Sequence, residues 1–115
     1  MEKSPFSPKF YQNDNRSPVT EFIDSLAKNE QATVQRKIQL HAMMGTALTY
    51  PHTRHIESKL WELRVNANGR FIRLFYFMRG NEIIYLHGVT KSRDKHLNSD
   101  IEIAKGRVND LLNIK

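Results

Sequence analysis

The fold turns on the run Leu60-Trp61-Glu62-Leu63-Arg64-Val65-Asn66-Ala67-Asn68-Gly69-Arg70-Phe71-Ile72-Arg73-Leu74-Phe75-Tyr76-Phe77-Met78. From Leu60 to Val65 the large apolar side chains Trp61, Leu63 and Val65 alternate with Glu62 and Arg64, the period-two pattern of a strand with one face wet. Asn66-Ala67-Asn68-Gly69 is a turn signal, and Arg70 to Met78 resumes as a second, longer strand. Arg79-Gly80-Asn81 supplies residues that tolerate positive φ, so Glu82 to Val89 returns as a third strand. The expected core element is therefore a three-stranded antiparallel meander.

Upstream of the meander the apolar period lengthens. Ser17-Pro18 followed by Val19, Phe22, Ile23 and Leu26 reads as an N-cap, a proline at the first helical position and a stripe at helical spacing, giving a helix of about three turns. Asn29 is positioned to cap a second helix, along which Ala32, Val34, Ile38, Ala42 and Met43 keep the period until Gly45 offers a left-handed stop. Downstream, Ser99-Asp100-Ile101-Glu102 matches a capping box, and Ile101, Ala104, Val108 and Leu111 continue a C-terminal helix. A short N-terminal strand around Lys9 to Gln12 rests on Phe10 and Tyr11 alone. The predicted class is α+β: two N-terminal helices packed on a curved antiparallel sheet, closed by a C-terminal helix.

Composition narrows the function classes. At 115 residues with no linker-like stretch, the chain is expected to be a single domain over 1–115. Without cysteine it has no disulfide, thiolate nucleophile or Cys-containing zinc site, and the cytoplasm is the expected compartment. The first ten residues hold no apolar run of signal-peptide length, and no segment approaches the roughly 20 apolar residues of a membrane span, so no membrane role is expected. Net charge is +6 with a pI near 9.8. Between His52 and His96 lie nine Lys/Arg against four acids, so that stretch carries +5 of the total. Nucleic acid is one partner class that such an imbalance suits; the bland alternative is a solvated basic face.

Strand geometry gives the charge a direction. Glu62 and Arg64 share one face of their strand, and Arg73, on the parity of Phe71, Phe75 and Phe77, can meet Arg64 across the hairpin. A face mixing arginines with rings suits single-stranded RNA, which presents phosphates and unstacked bases. The competing reading is that Arg64 simply pairs with Glu62 and that the C-terminal helix covers the phenylalanines. His87, inside a strand, reads as structural. His52-Thr53-Arg54-His55 has metal-like spacing but only two ligands, so neither metal nor cofactor is expected. Lys91-Ser92-Arg93-Asp94-Lys95-His96 is a charged connector of the kind that often carries function.

The ordered series Lys59-Leu60-Trp61-Glu62-Leu63-Arg64, Arg73-Leu74-Phe75-Tyr76-Phe77, Ile83 to Gly88 with Lys91, and Ile101-Glu102-Ile103-Ala104 with Arg107 resembles the RelE/ParE toxin superfamily, within it the HigB-like (phage Gp49-like) branch. Ser17-Pro18-Val19 and Phe22-Ile23 extend the resemblance over nearly the whole chain. It implies a RelE-like fold and the toxin of a type II toxin-antitoxin system, a metal-independent, ribosome-dependent mRNA endoribonuclease (mRNA interferase) that inhibits translation. The implied partners are a cognate antitoxin, usually of helix-turn-helix type, and the ribosome with its mRNA, with DNA reached only through the antitoxin complex. The resemblance maps phosphate-gripping roles onto Arg64 and Arg73, and assisting roles onto Lys91, Arg93 and His96. Chemistry adds that His96, Glu62 or His55 could move a proton when the RNA 2′-hydroxyl attacks its own phosphate. Lys59, Arg70, Arg93, Lys95 and His55 are the expected RNA-binding residues. In the connector, Lys91-Ser92-Arg93-Asp94-Lys95-His96-Leu97 stands where HigB-like relatives often carry a Lys-Lys-Thr-Gln-Lys-Thr-Pro-like stretch. The alternatives from the same superfamily are a ParE-like gyrase inhibitor and a catalytically degenerate RelE-fold binding module.

Overall fold

A computed structural model describes residues 4–91 and 98–113, with Lys91 described by its backbone alone. The elements run β1 (Ser7–Phe10), α1 (Pro18–Asp24), α2 (Lys28–Met44), a single 3₁₀ turn (Gly45–Ala47), β2 (Thr53–Glu57), β3 (Leu60–Ala67), β4 (Arg70–Arg79), β5 (Glu82–Lys91) and α3 (Asn98–Leu112). The sheet has five strands in the order β1-β5-β4-β3-β2. The meander is β3-β4-β5, and β2 extends it antiparallel to β3, an edge strand that the patterning did not reveal. β1 lies two residues earlier than expected and pairs with β5 in parallel, Ser7 opposite Glu82.

Both sheet faces are covered. On one, α1 and α2 press Val19, Ile23, Val34 and Ile38 onto Leu63, Val65, Ile72, Leu74, Ile83 and Tyr85. On the other, Ile101, Ala104 and Val108 of α3 bury Leu60, Phe75, Phe77, Ile84 and Leu86. Phe75 and Phe77 are thus core residues, which leaves the partly exposed Phe71 as the one ring of that strand face open to solvent. The burial of α3's apolar stripe, strand face against helix face, outweighs any display of those rings.

Several helix ends differ from the sequence expectation. α1 spans seven residues, about two turns, and Ser17 donates to Thr20 Oγ1 (2.8 Å) rather than capping the backbone. α2 begins at Lys28 rather than after Asn29; Ala27 is the N-cap residue and the Glu30 carboxylate accepts its N–H at 3.1 Å, half of a capping box without the hydroxyl. Gly45 does end α2, at φ +53, and it has no alternative: the Phe6 ring occupies the space that a Cβ would need. α3 includes Ser99, having begun at Asn98.

A bulge between Phe75 and Tyr76 leaves Leu86 of β5 opposite no residue of β4. Its carbonyl accepts from Arg107 of α3 at 2.8 Å. The adjacent His87 donates from Nε2 to Asp100 at 2.7 Å, with Arg107 3.4 Å from its Nδ1, an arrangement that fits the tautomer protonated on Nε2. These bonds tie the start and middle of α3 to β5, so α3 covers one end of the sheet face and stops short of the other.

Candidate functional site

Where the apolar cluster under α3 ends, charge begins. The hairpin register sets Arg64 directly opposite Arg73, and β2 sets Arg54 opposite Glu62. Four side chains from three adjacent strands therefore converge. The Glu62 carboxylate is the centre: Arg54 Nε lies 3.2 Å and Arg64 Nε 3.7 Å from Oε1, and Arg73 donates to Oε2 at 3.4 Å. Side-chain exposure falls from 35% at Arg54 through 20% at Arg64 to 2% at Arg73 and 1% at Glu62. The Glu62 carboxylate thus draws three guanidinium groups together, with Arg54 and Arg64 lying toward solvent and Arg73 buried. A buried carboxylate without such partners would cost several kcal/mol of desolvation, so Glu62 and its arginines hold one another in place.

A cleft of about 450 Å³ opens beside the cluster, lined by Arg64, Arg73, Asn66 and Phe71 together with Lys37, His52 and the Tyr50-Pro51 segment. It forms because β2 pairs with β3 only from Thr53 and Leu63 onward; the Arg64 N–H still donates to His52 O (2.8 Å), after which the β3 edge is open among the described residues. The Arg64 guanidinium stands 5.9 Å from the Tyr50 ring centroid, within cation–π range. Lys37 and His52 Nδ1 are 2.7 Å apart, and burial lowers the lysine pKa below its ordinary value. The cleft brings a half-buried guanidinium, an ammonium and aromatic surface to one place, chemistry of the kind that meets anions.

The family of phage derived proteins described as Gp49-like (DUF891) matches residues 21–109. The chain belongs to the Gp49-like family. No curated protein matches the chain. The match runs from within α1 through most of α3 and so contains the arginine cluster entire. The phage origin of the family accords with a toxin-like role and, with it, an antitoxin as partner. No helix among the described residues is long and apolar enough to cross a membrane.

In this Gp49-like chain the residues singled out from sequence fall into three groups. Arg64, Arg73 and Glu62 come together, joined by Arg54, which the sequence reading counted only as part of the basic stretch. Lys91 ends β5 opposite Phe71, on the strand end nearest the cluster, while Arg93, Lys95 and His96 lie outside the described residues. Lys59, His55 and Arg70 lie elsewhere. Lys59 is exposed in the β2–β3 turn, and His55 shares the opposite sheet face with Trp61, its ring 4.9 Å from the indole and its Nε2 2.7 Å from Ser58 O. Arg70, at the hairpin end, faces α2 and pairs with the buried Glu30 at 3.0 Å. His52 and His55 meet different partners, Lys37 and Ser58, and no metal-competent cluster occurs among the described residues.

Proposed function

We propose that this Gp49-like protein is the toxin of a type II toxin-antitoxin pair and acts as a ribosome-dependent mRNA endoribonuclease. The observation that supports this most is the Glu62-centred gathering of Arg54, Arg64 and Arg73, of which Arg64 and Arg73 line a cleft. In the reaction, the RNA 2′-oxygen bonds to the adjacent phosphorus and gives up its proton, and the P–O5′ bond breaks. The released 5′-oxygen then takes a proton, leaving a 2′,3′-cyclic phosphate. Negative charge builds on the non-bridging oxygens, where Arg64 and Arg54 stabilise it. Arg73, beneath them, adds positive potential and fixes Glu62. Lys91 and His96 are the proposed groups for proton transfer and final orientation, since an imidazole titrates near neutral pH. Arg93 and Lys95 of the connector, together with Lys59, Arg70 and His55, are the proposed contacts to RNA backbone of the message or ribosome.

The proposed antitoxin neutralises the basic surface with an acidic or amphipathic segment, and any operator binding comes through that partner. Induced expression in a bacterial host, with mRNA ends mapped by primer extension, tests the proposal. Growth arrest with translation-dependent cuts is expected, and Arg64→Ala should lower cleavage by about 10²-fold or more, the scale for losing one preorganised charge stabiliser. Arrest without cuts would replace this reading with gyrase inhibition, and no arrest with a degenerate binding module.

A further inference from the structure

A second cavity, of about 390 Å³, lies between the C-terminal end of α2 and strands β2 to β4, and the chemistry above makes no use of it. We propose that this pocket receives one unstacked purine base of the bound RNA and so biases where the message is cut. The inference rests on the RNA reading of the preceding subsection and adds base selection to it.

Three observations carry it. The first is aromatic surface left open: Tyr50 is 70% exposed and Trp61 37%, and both line the pocket, with the His55 ring 4.9 Å from the indole. Large rings kept at a surface offer a planar ligand faces on which to stack. The second is the chemistry of the interior. His41 and Tyr76 line it, both buried, and burial keeps both neutral at pH 7, so the depth suits an uncharged ring rather than a phosphate. Thr46 and Thr49, exposed residues of the lining, carry hydroxyls that both donate and accept, as the edge of a base requires. The third is continuity with the candidate site. Tyr50 lines both this pocket and the cleft, and Arg54, whose Nε lies 3.2 Å from Glu62, lines the pocket as well. RNA crossing the cleft can therefore turn a neighbouring base past Tyr50 into the pocket. Its volume lies in the range of sites that take small molecules, and two fused rings fill it better than one.

The test uses the uncharged nucleosides adenosine and uridine, so that binding reports on the base alone. Each is titrated into the full-length ¹⁵N-labelled protein and followed by NMR, where the indole N–H of Trp61, the chain's one tryptophan, and the Gly45 amide report from the pocket. Adenosine should shift both signals saturably and bind several-fold more tightly than uridine. Trp61→Leu, read at Gly45, should weaken adenosine by about tenfold. Tyr50→Leu, at an exposed position, carries the test if thermal melts show that Trp61→Leu does not fold. Arg36→Gln, on the exposed side of α2, should leave binding unchanged. In cells, the mapped cuts should favour a purine at one fixed place beside the cleaved bond, and Trp61→Leu should flatten that preference, a change that simple loss of folded protein does not produce. No shift at Trp61, equal affinity for the two nucleosides, or tighter binding of N-acetyl-tryptophanamide, the mark of a site for a protein side chain, would overturn the assignment. The two proposals fail separately: cuts whose positions are unchanged in Trp61→Leu sink the base pocket and leave the nuclease, whereas saturable adenosine binding without cuts sinks the nuclease and leaves a purine site.

Discussion

Two buried polar clusters sit on opposite faces of the same sheet, and they are built on different principles. Under α2, His41, Tyr76 and Tyr85 form a closed network in which the Tyr85 hydroxyl lies 2.7 Å from His41 Nδ1 and the Tyr76 ring packs edge-on to the imidazole at 4.6 Å. Every member is neutral: burial pushes the Tyr85 hydroxyl far above its usual range, pushes Tyr76 up to about 12, and, with help from the Lys37 charge, lowers the His41 pKa to about 4. On the α3 side, Glu62 lies among three arginines, of which Arg54 and Arg64 reach toward solvent at one end. A closed cluster in low dielectric is stable when neutral; a cluster meant to meet a phosphate must keep charge in excess and one side wet. The difference marks the first as a packing device and the second as the candidate site.

Breaking the charged cluster at its centre should have the largest effect. Glu62→Ala removes the buried carboxylate that Arg54, Arg64 and Arg73 share and is expected to cost about 3–5 kcal/mol in urea unfolding, the scale for removing one partner of a buried ion pair. A loss below about 1 kcal/mol would mean that the arginines find water and that Glu62 does not organise them.

The neutral cluster should answer to pH instead. An unfolded imidazole takes up a proton near pH 6.5, whereas His41 in the fold resists until about 4. Stability is therefore complete above about 6.5 and declines as pH falls through that window, by about 3 kcal/mol at its lower end. Melting temperature against pH, wild type beside His41→Gln, checks this; an identical slope in the variant would move the effect elsewhere.

Tyr85→Phe sharpens the same cluster at smaller scale. It removes the hydroxyl bonded to His41 Nδ1 and should cost about 1–3 kcal/mol, while the proposed mRNA cleavage, assayed on the surviving folded protein, should be unaffected. The smallest effect is expected for Arg70→Ala: its guanidinium is half exposed, and Glu30 keeps its bond from the Ala27 N–H, so about 1 kcal/mol or less should be lost. A larger loss would make the α2–hairpin contact a second structural centre.

The meander was legible because its signals are local. Alternation of Leu63 and Val65 with Glu62 and Arg64, and the Asn-Gly turn, placed two strands and with them the Arg64–Arg73 pairing seen in the register. β2 was not legible. Thr53-Arg54-His55-Ile56-Glu57 has no alternating large apolar residues, since an edge strand needs no buried stripe, and His55 drew notice only for its spacing from His52. Arg54 was hidden with it. The competing reading of the aromatic face also depended on distance in the chain: nothing near Phe75 or Phe77 records that Ile101, Ala104 and Val108, more than twenty residues later, come to lie on them.

By itself, the sequence determined the period of each element, the basic surplus of the second half, and the resemblance that the Gp49-like match makes plain. Only the tertiary structure decided which charges are spent. Arg70 is drawn to Glu30, Arg73 is sunk beside Glu62, and Arg54 and Arg64 flank the same carboxylate nearer the surface, Arg64 beside a cleft that exists because β2 stops short. Periodicity is a property of neighbours along the chain, whereas the worth of a charge depends on which carboxylate and how much water lie within a few ångströms, and folding alone sets both.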